Sequence, residues 1–170
     1  MIKQITAITG FMAAGKTSVA RELAQRLNYS FVDLDAAIAA REARSVADII
    51  NTSGEDYFRA TESAVLKEVV SENPNCVIAL GGGAWTIEEN RKILRTADAF
   101  VVWLDTPFDV CWQRILGGGE VRPLAQSREA TEELYEERRA LYLLADEHLS
   151  FDRAKDAADY AEAIASSVLK

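Results

Sequence analysis

The chain has 170 residues, of which 49% are hydrophobic and 27% charged, and a formal net charge of −8. That length and balance fit one soluble globular domain that buries a core without disulfides or a structural metal, and the acidic charge argues against nucleic acid, whose binders carry a basic face. No apolar run reaches the roughly 20 residues needed to cross a bilayer, and Met1 leads straight into a strand-like run rather than a charged and then apolar leader, so a cytoplasmic protein with no membrane partner is expected.

Short apolar strands alternate with amphipathic helices along the chain. Ile2 to Thr9 is a β-rich run that ends at Gly10, and Lys16 to Leu27 has helical spacing, with Val19, Leu23 and Leu27 on one stripe. Tyr29 to Leu34 reads as a second strand. Ala36 to Ser71 is rich in helix formers and broken near Thr52-Ser53-Gly54, which predicts at least two helices, the second from about Glu55. Asn73-Pro74-Asn75 is a turn, and Cys76 to Leu80 a short apolar strand closed by Gly81-Gly82-Gly83. Glu88 to Arg95 is a helix; Ala99 to Leu104 is a strand with a helix after it through Ile115. A loop opens at Gly117-Gly118-Gly119 and runs to about Ser127. Glu129 to Asp146 is a long charged helix, Leu149 to Phe151 a brief strand, and Asp156 to Leu169 a final helix with Ala157, Ala161, Ile164 and Val168 on its apolar face. Strands that are continuously apolar rather than alternating imply an α/β fold, with a parallel sheet covered on both faces. Repeats and a linker are absent, so residues 1–170 read as one domain.

Gly10-Phe11-Met12-Ala13-Ala14-Gly15-Lys16-Thr17 fits G-x-x-x-x-G-K-[ST] between a strand and a helix, the context a phosphate-binding loop needs. Its glycines allow tight turning and close approach of the backbone to phosphate oxygens. The N–H groups at the helix start point at the anion. Lys16 would reach the β- and γ-phosphates and the Thr17 hydroxyl would sit on Mg²⁺. Asp33 and Asp35 end the second strand, and alternation places them on the same side, at the carboxyl end where ligands bind in open α/β sheets. They serve either the phosphate chemistry, Asp33 on a Mg²⁺-bound water and Asp35 on a substrate hydroxyl, or the cap of the next helix.

Arg59 and Glu62, spaced i,i+3, are either a surface ion pair or a guanidinium oriented toward a ligand. Arg138 and Arg139 sit in a charge run of the kind that usually marks a solvated face. Two converging guanidinium forks would nonetheless match a carboxylate, which points to an acidic substrate. Leu116 to Arg128 is glycine-hinged, and Pro123 restricts Arg122 to extended geometry. It reads either as an ordinary loop or as a lid that brings one cation over ATP. Cys76 and Cys111 lie in apolar stretches and read as buried small side chains. With His148 the only histidine, Ser-His or Cys-His nucleophile systems have little to draw on.

Together these segments resemble the shikimate kinase family. GFMAAGKT at 10–17 resembles its phosphate loop, FVDLD at 31–35 its Asp-x-Asp segment, SVADII at 45–50 and GEDYFRATE at 54–62 its substrate-binding helices, LGGG at 80–83 its glycine run, RPL at 122–124 its lid and RALY at 139–142 its second arginine motif. The resemblance implies a nucleoside-monophosphate-kinase-like, three-layer α/β/α P-loop fold with a five-stranded parallel sheet of order 2-3-1-4-5. In that fold a helical insert at about 36–72 binds substrate and the lid spans about 116–128. It implies transfer of the γ-phosphate of ATP to the 3-hydroxyl of shikimate, in a protein that works as a monomer. Carried over by position, Asp35, Arg59, Gly81, Gly82, Gly83 and Arg139 bind shikimate and Glu62 supports Arg59. Gly10, Ala13, Ala14, Gly15, Lys16, Thr17, Ser18 and Arg122 handle ATP, and Thr17 with Asp33, through water, manages Mg²⁺. Lys16, Asp35 and Arg122 would carry catalysis.

The chain departs from the family where Ala13 replaces the usual Gly, Ala39 a frequent Glu and Ala140 a common Pro, and beyond Asp152 no adenine-contacting residue is assigned. Among rivals, a gluconate kinase would share the phosphate loop but not the GEDYFR, LGGG and RALY set. A small GTPase would carry an Asn/Thr-Lys-x-Asp motif, which none of the six lysines supplies. A catalytically inactive relative would not need Lys16, Thr17, Asp33, Asp35 and Arg59 intact.

Overall fold

The computed structural model describes residues 4–118 and 127–169. Five parallel strands form one sheet: β1 (Ile5–Thr9), β2 (Ser30–Asp33), β3 (Cys76–Ala79), β4 (Phe100–Asp105) and β5 (Glu147–Ser150), in the order β2-β3-β1-β4-β5. β1 lies centrally, with Ile8 paired to Ala79 on one side and Val102 on the other. Both faces are covered, and for this reason the central strands read as unbroken apolar runs.

Alternation along the strands separates two cores. Ile8, Val77, Ala79, Val102 and Leu104 face α1 (Lys16–Leu27) and α8 (Ala157–Val168), where Val19, Leu23, Ala161, Ile164 and Val168 pack. Ile5, Ala7, Cys76, Ile78, Val101 and Trp103 face the opposite layer, which takes in α2 (Leu34–Glu42), α3 (Val46–Ser53), α4 (Glu55–Glu72), α5 (Glu88–Thr96), α6 (Phe108–Gly117) and α7 (Arg128–Tyr142). Cys76 and Cys111 are fully buried among these side chains.

β5 runs Glu147–Ser150 rather than Leu149 to Phe151, and three further boundaries differ from the sequence reading. α2 begins at Leu34, directly after β2, so Asp35 stands in its first helical turn rather than in strand alternation. Asp33 takes the N-cap, its carboxylate accepting from Ala36 N–H. The stretch expected to hold two helices or more holds three. Ala43 closes α2 in the left-handed region at φ 52°, a position no strong breaker marks, and Ser45 then caps α3 by accepting from Asp48 N–H. α7 stops at Tyr142 rather than Asp146, because Asp146 N–H donates to Val101 O and its carboxylate accepts from Val101 N–H, drawing the chain into β5.

Ala13 also occupies the left-handed region, at φ 60°. A Cβ there costs on the order of 1 kcal/mol, and that cost is the physical reason a glycine suits this position. Ala13→Gly is therefore expected to raise the thermal midpoint by about 2 °C, the left-handed relief outweighing the larger unfolded-state entropy of glycine. Thermal unfolding of the two proteins side by side checks this.

Candidate active site

The carboxyl edge of the sheet opens into a cleft of about 1160 Å³. Single small-ligand pockets run to about 1,000 Å³, so this one has room for two substrates. One end is the phosphate-binding loop. Gly10 lies under that loop rather than in the cleft wall, and a Cβ on it would come within 2.8 Å of Leu104 O. Ala13, Ala14, Gly15, Lys16, Thr17 and Ser18 all line the cleft. Thr106 holds the loop from below, its hydroxyl donating to Ala14 O at 3.0 Å. Lys16 is nearly buried and curls back to donate to Phe11 O at 2.7 Å.

Thr17 and Asp33 meet beside this loop, the hydroxyl donating to Asp33 Oδ2 at 3.0 Å while Asp33 Oδ1 caps α2. Of the alternatives read from the sequence, Asp33 takes the helix cap, and its other carboxylate oxygen meets Thr17. A hydroxyl and a carboxylate are hard oxygen donors. Mg²⁺ takes one or two such groups along with phosphate oxygens and water, so the pair fits that ion.

The other end is built around cations. Arg59 in α4 gives Glu62 two hydrogen bonds from NH1, at 3.1 and 3.0 Å, and reaches Glu55 through NH2 at 3.1 Å. Glu62 is fully buried. Burial pushes its carboxyl above the ordinary value, and Arg59 opposes that shift. Arg138 in α7 is 7% exposed, and among the described residues no carboxylate pairs with it. Burial above all, and then the charge of Arg59, hold its pKa down; the Tyr142 hydroxyl beside it and, more weakly, the Glu55 carboxylate that Arg59 holds work the other way. Tyr142 is fixed in turn by donating to Gly82 O.

Gly81, Gly82 and Gly83 form the floor between these groups. A Cβ on Gly81 would lie 2.7 Å from Asp35 Oδ1, and one on Gly83 2.5 Å from Arg59 NH2. At Gly81 and Gly83 charged side-chain ends occupy the space that a Cβ would need, and at Gly82 the nearest atom is the backbone N of Met12, at 3.2 Å. Asp35 lines the cleft between the phosphate loop and the two arginines.

Arg139, the sequence expectation for the second arginine, is not in the cleft. It is 47% exposed, pairs with Asp105 at 3.1 Å and stacks over Trp103. Neighbouring helix positions point about 100° apart, so only one of two adjacent arginines can face the site. The spacing that marks Arg138 is its i,i+4 relation to Tyr142, which puts both on the buried face. Arg114 and Phe151 were also missed. Arg114 donates to Ala13 O at 3.0 Å and its guanidinium lies 5.7 Å from the Phe151 ring, forming a second wall beside the phosphate loop. Nothing local in sequence brings α6 and the end of β5 together there. Arg122 and most of the 116–128 segment lie outside the described residues.

Comparison with known proteins matches residues 12–169 to the Shikimate kinase family model. A shikimate kinase of Persephonella marina is 34% identical over 143 residues, 84% of this chain and 86% of the relative. One from Parasynechococcus marenigrum is 40% identical over 142 residues, 82% of this chain and 73% of its own. The solved structure of a shikimate kinase from Acinetobacter baumannii in complex with shikimate aligns at a TM-score of 0.90 and 33% identity, covering 98% of this chain and 93% of that one.

Proposed function

The chain belongs to the shikimate kinase family, and from that premise we propose that it transfers the γ-phosphate of ATP to the 3-hydroxyl of shikimate, a step in aromatic amino-acid biosynthesis. The observation that carries this reading is the pair Arg59 and Arg138, across the cleft from Lys16. Arg138 is a buried cation with no protein carboxylate paired to it among the described residues, a costly arrangement that an anionic ligand relieves. Shikimate supplies that carboxylate, and its hydroxyls then fall toward Asp35 and the phosphate loop.

Phosphoryl transfer asks the protein mainly for positioning and for charge placed where charge develops. Arg59 and Arg138 fix the acceptor by its carboxylate, with Glu62 and Tyr142 holding their orientations. Asp35 orients the attacking hydroxyl and accepts its proton. Lys16 leaves Phe11 O and takes up the β- and γ-phosphate oxygens. Thr17, and Asp33 through water, would hold Mg²⁺, whose chemistry there would be to neutralise charge on the phosphates. Arg114 and Phe151 offer a cationic plane and a ring for the adenine. We read residues 1–170 as one kinase domain with its acceptor insert at about 36–72. By analogy with the family, we take the working form to be a monomer, in the cytoplasm. Arg122 and the 116–128 lid keep the role that the family resemblance implies.

The test is ADP release from ATP and Mg²⁺ with shikimate, gluconate or no acceptor. ADP is expected only with shikimate, and only with the metal present. Release with gluconate instead would overturn the assignment of the acceptor end while leaving the phosphate end standing.

A further inference from the structure

Behind Arg59 lies a polar side chain that the steps above do not use. Asn90 of α5 is fully buried, and each side of its amide is committed. Its Nδ2 donates to Ala84 O at 2.9 Å and to Glu62 Oε2 at 3.3 Å; its Oδ1 accepts from Ser63 Oγ at 2.6 Å. Ala84 directly follows the glycine floor, and Glu62 carries Arg59, whose guanidinium lies flat against Gly83. One amide therefore ties the arm that holds the arginine to the floor on which the arginine rests. An apolar side chain there would leave the buried Glu62 carboxylate, Ala84 O and Ser63 Oγ each one hydrogen bond short. Burial raises the Glu62 carboxyl and the Asp35 charge adds to this, whereas Arg59 and Asn90 favour the ionised form that the ion pair needs.

We propose that Asn90 is a positioning residue for the acceptor carboxylate: through Glu62 and Ala84 O it fixes the Arg59 guanidinium at the glycine floor. This rests on the reading that Arg59 receives that carboxylate. Asn90 touches neither substrate, and its effect belongs to one of the two substrates only.

Asn90→Leu and the near-isosteric Asn90→Asp test it, with folding followed by thermal unfolding. The expected result is a rise of about tenfold in the KM for shikimate, with kcat and the KM for ATP within about twofold of the native values. A loss of this size also appears in the shikimate Kd measured by calorimetry without nucleotide. In a Glu62→Gln background Asn90→Leu is expected to add less than about twofold, because the two residues act through one contact. An unchanged shikimate KM in a folded variant overturns the proposal, as does a parallel rise in the KM for ATP or full additivity with Glu62→Gln. Should Asn90→Leu fail to fold, Asn90→Asp carries the same comparison. Native protein that releases no ADP with shikimate removes the acceptor reading itself and the proposal with it; native activity with unaltered Asn90 variants overturns the proposal alone.

Discussion

Arg138→Ala is expected to raise the KM for shikimate by about 100-fold, whereas Arg139→Ala leaves it within about twofold. Removing one partner of a buried charge pair costs about 3 kcal/mol or more, and each 1.4 kcal/mol is about tenfold. Arg138 is 7% exposed and lines the cleft beside Arg59, and no ion pair to a carboxylate is formed among the described residues, so under the proposed function the shikimate carboxylate is its partner. Arg139 is half exposed on Asp105, a pair of the kind worth about 1 kcal/mol or less. Thermal unfolding separates binding from folding here. Arg138→Met keeps the buried stem and removes the charge. Without ligand this variant is expected to melt at or above the native temperature, since a desolvated cation has been removed. A shikimate concentration that stabilises the native protein by mass action is expected to shift the midpoint of this variant far less. A normal shikimate KM for Arg138→Ala would return the role to Arg139 and undo the geometry proposed for the acceptor end.

Lys16→Ala is expected to lower kcat by about 1,000-fold or more, the scale of losing one preorganised charged donor aimed at a transition state, while shikimate binding changes little. Lys16 stands at the phosphate end, its ammonium held over the loop by donating to Phe11 O. Steady-state ADP release gives kcat, and calorimetry without nucleotide gives the shikimate Kd. Full turnover by Lys16→Ala would remove the phosphate-loop mechanism altogether. A kcat loss with an equal loss of shikimate affinity would mean that the substitution disturbs the whole cleft.

Much of the protein was legible from short stretches of chain. Gly10 to Thr17 carries its glycine torsions and the start of α1 within eight residues, so a phosphate-binding loop was legible there, although Thr106 and Arg114 hold it from elsewhere in the chain. The central strands β1, β3 and β4 showed as apolar runs because both sheet faces are covered there, and alternation within them divides the two cores as strand geometry requires. Arg59 with Glu62 was recognisable for the same reason: i,i+3 spacing on a helix puts them in contact wherever the helix lies.

Other features depend on how elements are turned and stacked. Arg138 and Arg139 have the same chemistry and adjacent positions. Which of them faces the cleft is fixed by the rotation of α7, which Tyr142 sets by donating to Gly82 O and Trp85 by donating to Leu141 O across 56 residues. Arg114 meets Ala13 and Phe151 only because β4 and β5 are neighbours in the sheet. The glycine floor could be read as a run of glycines, but its purpose lies with Asp35 and Arg59, which arrive from two other helices. Sequence by itself determined whatever covalent spacing brings together within a turn of helix, a strand or a loop. Tertiary structure decided the rest, because the direction of a side chain on a helix is set by the packing of that whole helix, and no residue specifies that packing alone.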